Sequence, residues 1–366
     1  SPLRLRDVVR ETLAGAGLGT SRAFDALNRP ISETTAGELA SSSVTSYQYL
    51  APFETRVTNP RGFETRLRYF ALDEPNTDFP VRVERGANGP VAEQSLTVIG
   101  RDVWGKVLSM ERSGNGTTAT RGFLYDTEQR LCQLTEPESG AMVMAYDLGG
   151  NLEWSAEGRT AAGTCALARS SVPVADRVVR RYDKRNRLIG ISYPTTPSIP
   201  TSDVNYSYAG AGAMLTAQAG NITWTYAYNS LRRLESEEMA FQGKFYLADW
   251  QYDTQGAPSG LIYPNAEAVT FQPNALGQHS RSGAFVTGAT YHASGANAAW
   301  TYGNGIARSM TQTTRRLPDR LRDVGSAVIF DEDYDYDAAA NVTKITDARD
   351  ALQTRTLTYD VQDRLV

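Results

Sequence analysis

Apolar and polar residues alternate with period two in short runs along this chain. Val204-Asn205-Tyr206-Ser207-Tyr208 and Ile222-Thr223-Trp224-Thr225-Tyr226-Ala227-Tyr228 are clear examples. Such alternation puts one set of side chains on each face of a strand, and β-branched and aromatic residues suit a pleated, half-buried surface. Gly, Asn and Pro fall between the runs, and long helical periodicity is absent. The pattern predicts many short antiparallel strands joined by tight turns.

The breaks between strands are themselves periodic. Units of about twenty residues begin on an aromatic at Phe24, Tyr125, Tyr146, Tyr182, Tyr208, Tyr228, Tyr252, Tyr291, Tyr336 and Tyr359, with degraded copies at Arg101, Pro273 and Thr311. A carboxylate often follows: Asp25, Asp102, Asp126, Asp147, Asp183, Asp253, Asp337 and Asp360. Three residues further on stands a residue that tolerates the left-handed region. It is Gly105, Gly150, Gly212, Gly256, Gly277 or Gly295 in some copies, and Asn28, Asn186 or Asp363 in others. Asp-x-x-Gly is type I turn chemistry: the carboxylate caps nearby N–H groups, and the last residue gives the bulge whose twist suits a hairpin. Gln129, Arg232, Arg315 and Ala340 break the rule, so their turns are strained by about 1 kcal/mol or built differently.

One hairpin is barely stable in water, so neighbouring units must pair into a continuous sheet. The tyrosine rings would pack across strands, with Arg130, Arg187, Arg233 and Arg364 placed for cation–π contact. The expected fold is all-β, an array of antiparallel hairpins running from residue 24 to residue 366. Residues 1–23 form a lead-in. In it Leu5, Val8, Val9 and Leu13 have helical spacing, which fits a short cap helix or a frayed peptide equally. The longer interval from Tyr146 to Tyr182 predicts an inserted loop near 155–178, rich in Ala, Ser and Gly and poor in packing residues. Cys165 lies in it and Cys132 stands before it; a disulfide would pin the loop, and two unrelated thiols is the other reading.

Composition narrows the functional classes. The net charge is −4 with both signs mixed throughout, so no basic footprint for nucleic acid appears. No apolar run approaches the roughly 18 residues of a membrane span, and the first 23 residues lack the apolar core of a signal peptide. The chain stops inside a repeat, at Arg364-Leu365-Val366, which suggests a piece of something larger.

The repeated Tyr-Asp-x-x-Gly-Arg-Leu pattern resembles the RHS/YD-repeat family. It is clearest at Tyr125-Asp126 to Leu131, Tyr182-Asp183 to Leu188 and Tyr359-Asp360 to Leu365, and the likeness extends from Phe24 to Val366. Members include bacterial polymorphic toxins, shell components of insecticidal toxin complexes, wall-associated bacterial proteins and teneurins. The resemblance implies a sheet of hairpins wound as a spiral into part or all of a hollow shell. It also implies a polypeptide cargo, such as a C-terminal effector of the same parent protein, and a secreted or bacterial cell-surface location. The Asp-Pro-x-Gly closure of self-cleaving members is missing, since the chain contains no Asp-Pro.

Candidate chemistry is sparse. The two histidines are His279 and His292, and the latter occupies the Asp slot of a repeat turn. No nucleophile elbow, zinc-binding helix or phosphate loop is present, so neither enzymatic activity nor a cofactor is expected. Asp331, Asp333, Asp335 and Asp337 would share one strand face, where Ca²⁺ or nearby arginines (Arg315, Arg316, Arg320, Arg322) would relieve their repulsion. The EF-hand pattern does not fit. Exposed aromatics on a curved sheet could hold glycans, although ring positions that follow the repeat speak for packing. The expected function is encapsulation, with a cell-surface adhesion or carbohydrate-binding role as the alternative. Exposed end strands also invite self-association.

Overall fold

Turn chemistry and alternation together leave little but strands. The computed structural model describes residues 4–8 (backbone only), 20–35, 43–50, 53–70, 77–194 and 201–366. In one sheet of 22 strands each strand pairs antiparallel with the next, from Arg4–Val8 to Ala268–Thr270. A second sheet of seven strands runs in the same way from Val286–Tyr291 to Arg355–Thr356. Both are open meanders of hairpins.

The pairing register slips at the repeat aromatics. Leu124 faces Gln133 but Tyr125 faces Leu131, and the same shift recurs at Tyr146, Tyr182, Tyr208, Tyr228, Tyr252 and Tyr336. Each slip adds one residue to the outgoing strand, which is the bulge that lets a type I turn close a twisted hairpin. Because every repeat holds two strands, successive repeat turns fall on the same edge of the ribbon. The alternate turns, such as Asn115-Gly116 and Gln242-Gly243 with positive φ at both residues, form the other edge.

Two expectations differ from this architecture. Arg4–Val8, where helical spacing suggests a cap, is a strand paired with Thr20–Phe24. Its Leu5-Arg6-Asp7 core pairs across the ladder, and the rest of the expected helix lies outside the described residues. The sheet is also not continuous to residue 366. Between Thr270 and Val286 the chain leaves the ladder. Gln272 and Gly283 take positive φ there, and Pro273, with no N–H to give, makes only an isolated bridge to His279.

The chain divides into two compact units, Ser1–Thr120 with Phe285–Val366, and Arg121–Ala284. In the second unit, buried Val143, Ala145, Trp154 and Ala156 pack with Ala168 and Val172. The last two come from the insertion, which holds a helix, Cys165–Ser170, capped by the Thr164 hydroxyl. The insertion therefore carries packing of its own, contrary to its composition. Its small residues fit flush against the sheet, with Ala168 fully buried.

Candidate functional site

The recurring turn is the constellation on which any function must be built. Asp126 shows its parts. Its N–H donates to Arg130 O and its carbonyl accepts from Gln129 N, while Oδ1 accepts from Arg130 N at 2.9 Å. Asp25, Asp102, Asp147, Asp183, Asp253, Asp337 and Asp360 cap their turns in the same manner. The left-handed slot is filled by Gly105, Gly150, Gly256, Gly277 and Gly295 where glycine is present. Gln129, Arg232 and Ala340 adopt the same conformation (φ 61–69°), so these turns are built alike and bear the strain. Around residue 313 the register is one residue later than the sequence suggests. Arg316, not Arg315, has positive φ, and Thr313 takes the Asp slot. Without an aromatic to mark it, the repeat start there falls at Gln312, where the ladder slips.

Adjacent repeats are clamped together at these turns. The arginine four residues after the Asp pairs back onto it, at Arg29–Asp25, Arg130–Asp126, Arg187–Asp183 and Arg364–Asp360. Arg130, Arg187 and Arg233 also lie 4.7–4.9 Å from the ring centres of Tyr146, Tyr208 and Tyr252 in the next repeat. Each of those tyrosines then donates its hydroxyl to the first strand carbonyl after the preceding turn: Leu131, Leu188 and Leu234. Tyr182, Tyr336 and Tyr359 do the same with Leu152, Pro318 and Val342. The ring contacts are legible in the sequence; the hydroxyl targets are not, because a backbone carbonyl leaves no side-chain signature.

Asp126 is buried in this scheme and is reached by a second element. Burial by itself would raise its carboxyl. The Arg130 amide, Arg169 from the inserted helix and the Arg130 guanidinium outweigh that and hold it at about 2. Arg169 also donates to Met144 O. Close by, Cys132 and Cys165 are joined in a disulfide with 5.7 Å between Cα atoms.

The acidic run is answered by arginines. Arg320 forks onto Asp331 with bonds of 2.6 and 2.7 Å, and Arg322 approaches the same carboxylate at 3.2 Å. Hydrogen bonding from Arg320, against the effect of burial, pulls the Asp331 carboxyl down. Arg320 also lies 3.6 Å from Asp333. Arg355 pairs with Glu332. Burial, then the Tyr334 bond to Glu332, pushes that hydroxyl up to about 12. Asp335 is exposed opposite Lys344, and Asp337 leaves the strand to start the next turn. Four carboxylates therefore do not converge. Among the described residues, no group of three or more His, Cys, Asp or Glu is arranged to hold a metal ion. His292 Nε2 meets Met310 O at 2.8 Å, and His279 stacks on Phe271.

Within the first unit, the turns of the second sheet are seated on the alternate-turn edge of the first. Arg61 lies in the Asn59-Pro60-Arg61-Gly62 turn, and its guanidinium donates to Tyr359 O, Asp360 O and Asp363 Oδ1 at 2.7–2.8 Å. It also pairs with Asp337 at 3.3 Å. Beside it, Val361 is 5% exposed and packs against Gly86 and Gly89. A Cβ on Gly89 would stand 2.5 Å from Val361 Cγ1. Ser95 binds Gln362, Glu93 accepts from Val361 N, and Ser43 donates to Ala338 O. Sequence reasoning missed this seat, since Asn59-Pro60-Arg61-Gly62 reads like any other turn.

No family model and no curated protein matches this chain. Solved structures do. The crystal structure of TcdB2-TccC3 has a TM-score of 0.74 with it over 95% of this chain, at 15% identity. This is the RHS-type fold of toxin-complex proteins. TcdB2-TccC3-Cdc42 gives 0.73 at 14% identity, and the Photorhabdus luminescens Tc holotoxin pore 0.72 at 15%, each over 95% of this chain. The chain spans about one fifth of the length of these proteins, 19–20%.

Proposed function

We propose that this chain is a wall segment of a secreted bacterial toxin shell that encloses a polypeptide cargo of its parent protein and performs no chemistry itself. The observation that carries the reading is the seat of Arg61 and Val361. Here one run of repeat turns rests on another run of the same ribbon, with hydrogen bonds, ion pairs and an apolar contact. A ribbon that recognises its own edge can lay coil on coil and exclude what lies outside. The turn clamps explain how such a wall stays stiff without a thick core, because each repeat is tied to the next through Asp, Arg and Tyr. The likeness to toxin-complex proteins supports the toxin context.

The coding sequence past residue 366 and protease protection test this together. An Asp-Pro-x-Gly segment followed by a further domain, resistant to protease in the intact parent protein, is the expected result. A cell-wall anchor in that position, or a downstream domain digested at the same rate as the free domain, would overturn the reading.

A further inference from the structure

The strand Lys244–Tyr252 is longer than the one that follows it. On one side Leu234–Phe241 pairs with it from Lys244 to Asp249. On the other, Pro258–Ile262 reaches only Asp249 to Tyr252. The ladder stops there because a turn begins: Tyr263 N–H donates to Glu267 O, and Pro264, due opposite Leu247, has no N–H to give. Residues 244–248 are left as an overhang. Phe241 and Lys244 close a two-residue turn, Gln242-Gly243, so bonds to the partner strand fall on Lys244, Tyr246 and Ala248. The N–H and C=O groups of Phe245 and Leu247 therefore point the other way, and no backbone group among the described residues meets them.

The side chains of this edge are open as well. Phe245 is 67% and Leu247 41% exposed, and strand alternation puts them on one face. Lys244 is exposed and has no ion pair among the described residues. Elsewhere the chain covers or blunts such an overhang. Val328–Tyr336 extends past Val342–Asp347, but there Ala348 N donates to Asp331 O and the Arg349 guanidinium to Ile329 O. Thr117–Tyr125 extends past Leu131–Glu136 with a mostly polar stretch at 117–121, and Arg121 pairs with Glu136. Neither device is present at 244–248. A second copy does not fit this edge. Two overhangs paired antiparallel would drive each Gln242-Gly243 turn into the other copy's Tyr263-Pro264 turn, since these bound the overhang at its two ends. The space admits one narrow strand of about four residues.

We infer that the edge at 244–248 takes up a short extended segment of an unfolded polypeptide as an added antiparallel strand. Apolar residues of that segment lie opposite Phe245 and Leu247, and an acidic one lies opposite Lys244. Main-chain bonds to Phe245 and Leu247 supply affinity, while the apolar pairs and the Lys244 charge supply selection. The inference does not rest on the shell reading, since the edge is complete within Arg121–Ala284.

Fluorescence anisotropy of the whole chain with a labelled hexapeptide, Ser-Val-Tyr-Val-Glu-Ser, tests it. Antiparallel pairing sets its two valines opposite Leu247 and Phe245 and its glutamate opposite Lys244. N-methylation of both valines removes the donors that face the edge and should weaken binding by at least about tenfold. N-methylation of the tyrosine, whose N–H faces away, should leave binding unchanged. Lys244→Glu should reverse the preference, so that the same peptide with Lys in place of Glu binds better. Residue-resolved hydrogen exchange should slow at the Phe245 and Leu247 amides on peptide addition and stay constant at Tyr246 and Ala248. Lys244 is exposed, so circular dichroism should show Lys244→Glu folded like the parent. Absence of binding by the folded chain, equal loss from either N-methylation, or an unchanged preference in Lys244→Glu would each overturn the assignment. So would sedimentation showing a dimer of the chain alone that Phe245→Lys dissolves, since a second copy would then hold the edge.

Discussion

At the scale of single residues, one motif position supports very different environments. Asp25 and Asp183 cap partly open turns, whereas the Asp126 side chain is 4% exposed and receives two guanidiniums. Its folded pKa of about 2 lies below the ordinary 3.8. A depressed carboxyl contributes stability that is present above the unfolded pKa and is lost as pH falls through the folded one. Asp126→Asn should therefore be less stable than the parent by about 2 kcal/mol at pH 6, and the gap should close between about pH 4 and pH 2. Urea unfolding at stepped pH measures it, and a gap that stays constant with pH would rule out the ionised pair as its origin. Much of this level is legible in the sequence. The Asp and left-handed positions follow from turn chemistry, and Arg130, Arg187 and Arg233 meet rings as their spacing implies. Arg169 was invisible, because the insertion breaks the period that locates everything else.

At the scale of elements, the hairpin is the unit and the bulge fixes its register. Alternation and turn residues are local signals, so strands and their edges could be read directly. The packing of the insertion could not. An Ala/Ser/Gly-rich segment carries no apolar stripe, yet small side chains let Ala168 and Val172 press close to Val143 and Trp154. The Cys132–Cys165 bridge closes a loop with a sequence separation of 33. On the chain-entropy account it stabilises the fold by about 3–4 kcal/mol. Cys132→Ser with Cys165→Ser should lower the urea midpoint accordingly, with hydrogen exchange rising first over 160–177. Unchanged exchange there would mean that the Ala168 and Val172 contacts hold the insertion without the bridge.

At the scale of the whole molecule, long-range contact was the least legible feature. Repeats announce their neighbours in sequence, but nothing periodic says that residue 61 meets residue 363. Gly89 offers a clean probe, because its backbone needs no left-handed conformation and only the room for Val361 requires a glycine. Gly89→Ala should unseat Val361 and speed hydrogen exchange over 337–363, while Arg121–Ala284 keeps its protection. Equal protection in the variant would show that the polar contacts of Arg61, Glu93, Ser95 and Ser43 hold the seat without Val361.

That seat also imposes an order on biosynthesis. A ribosome delivers Arg61, Gly86 and Gly89 some three hundred residues before Asp363, at a pace of about 5–20 residues per second. Throughout that interval the hairpins behind it can zip together locally, but the Arg61 guanidinium must wait in water and the glycine surface stays uncovered. A nascent chain cut short before residue 337 would keep that surface open to chaperones and proteases. Occupancy of one arginine thus marks a chain whose synthesis has passed residue 363.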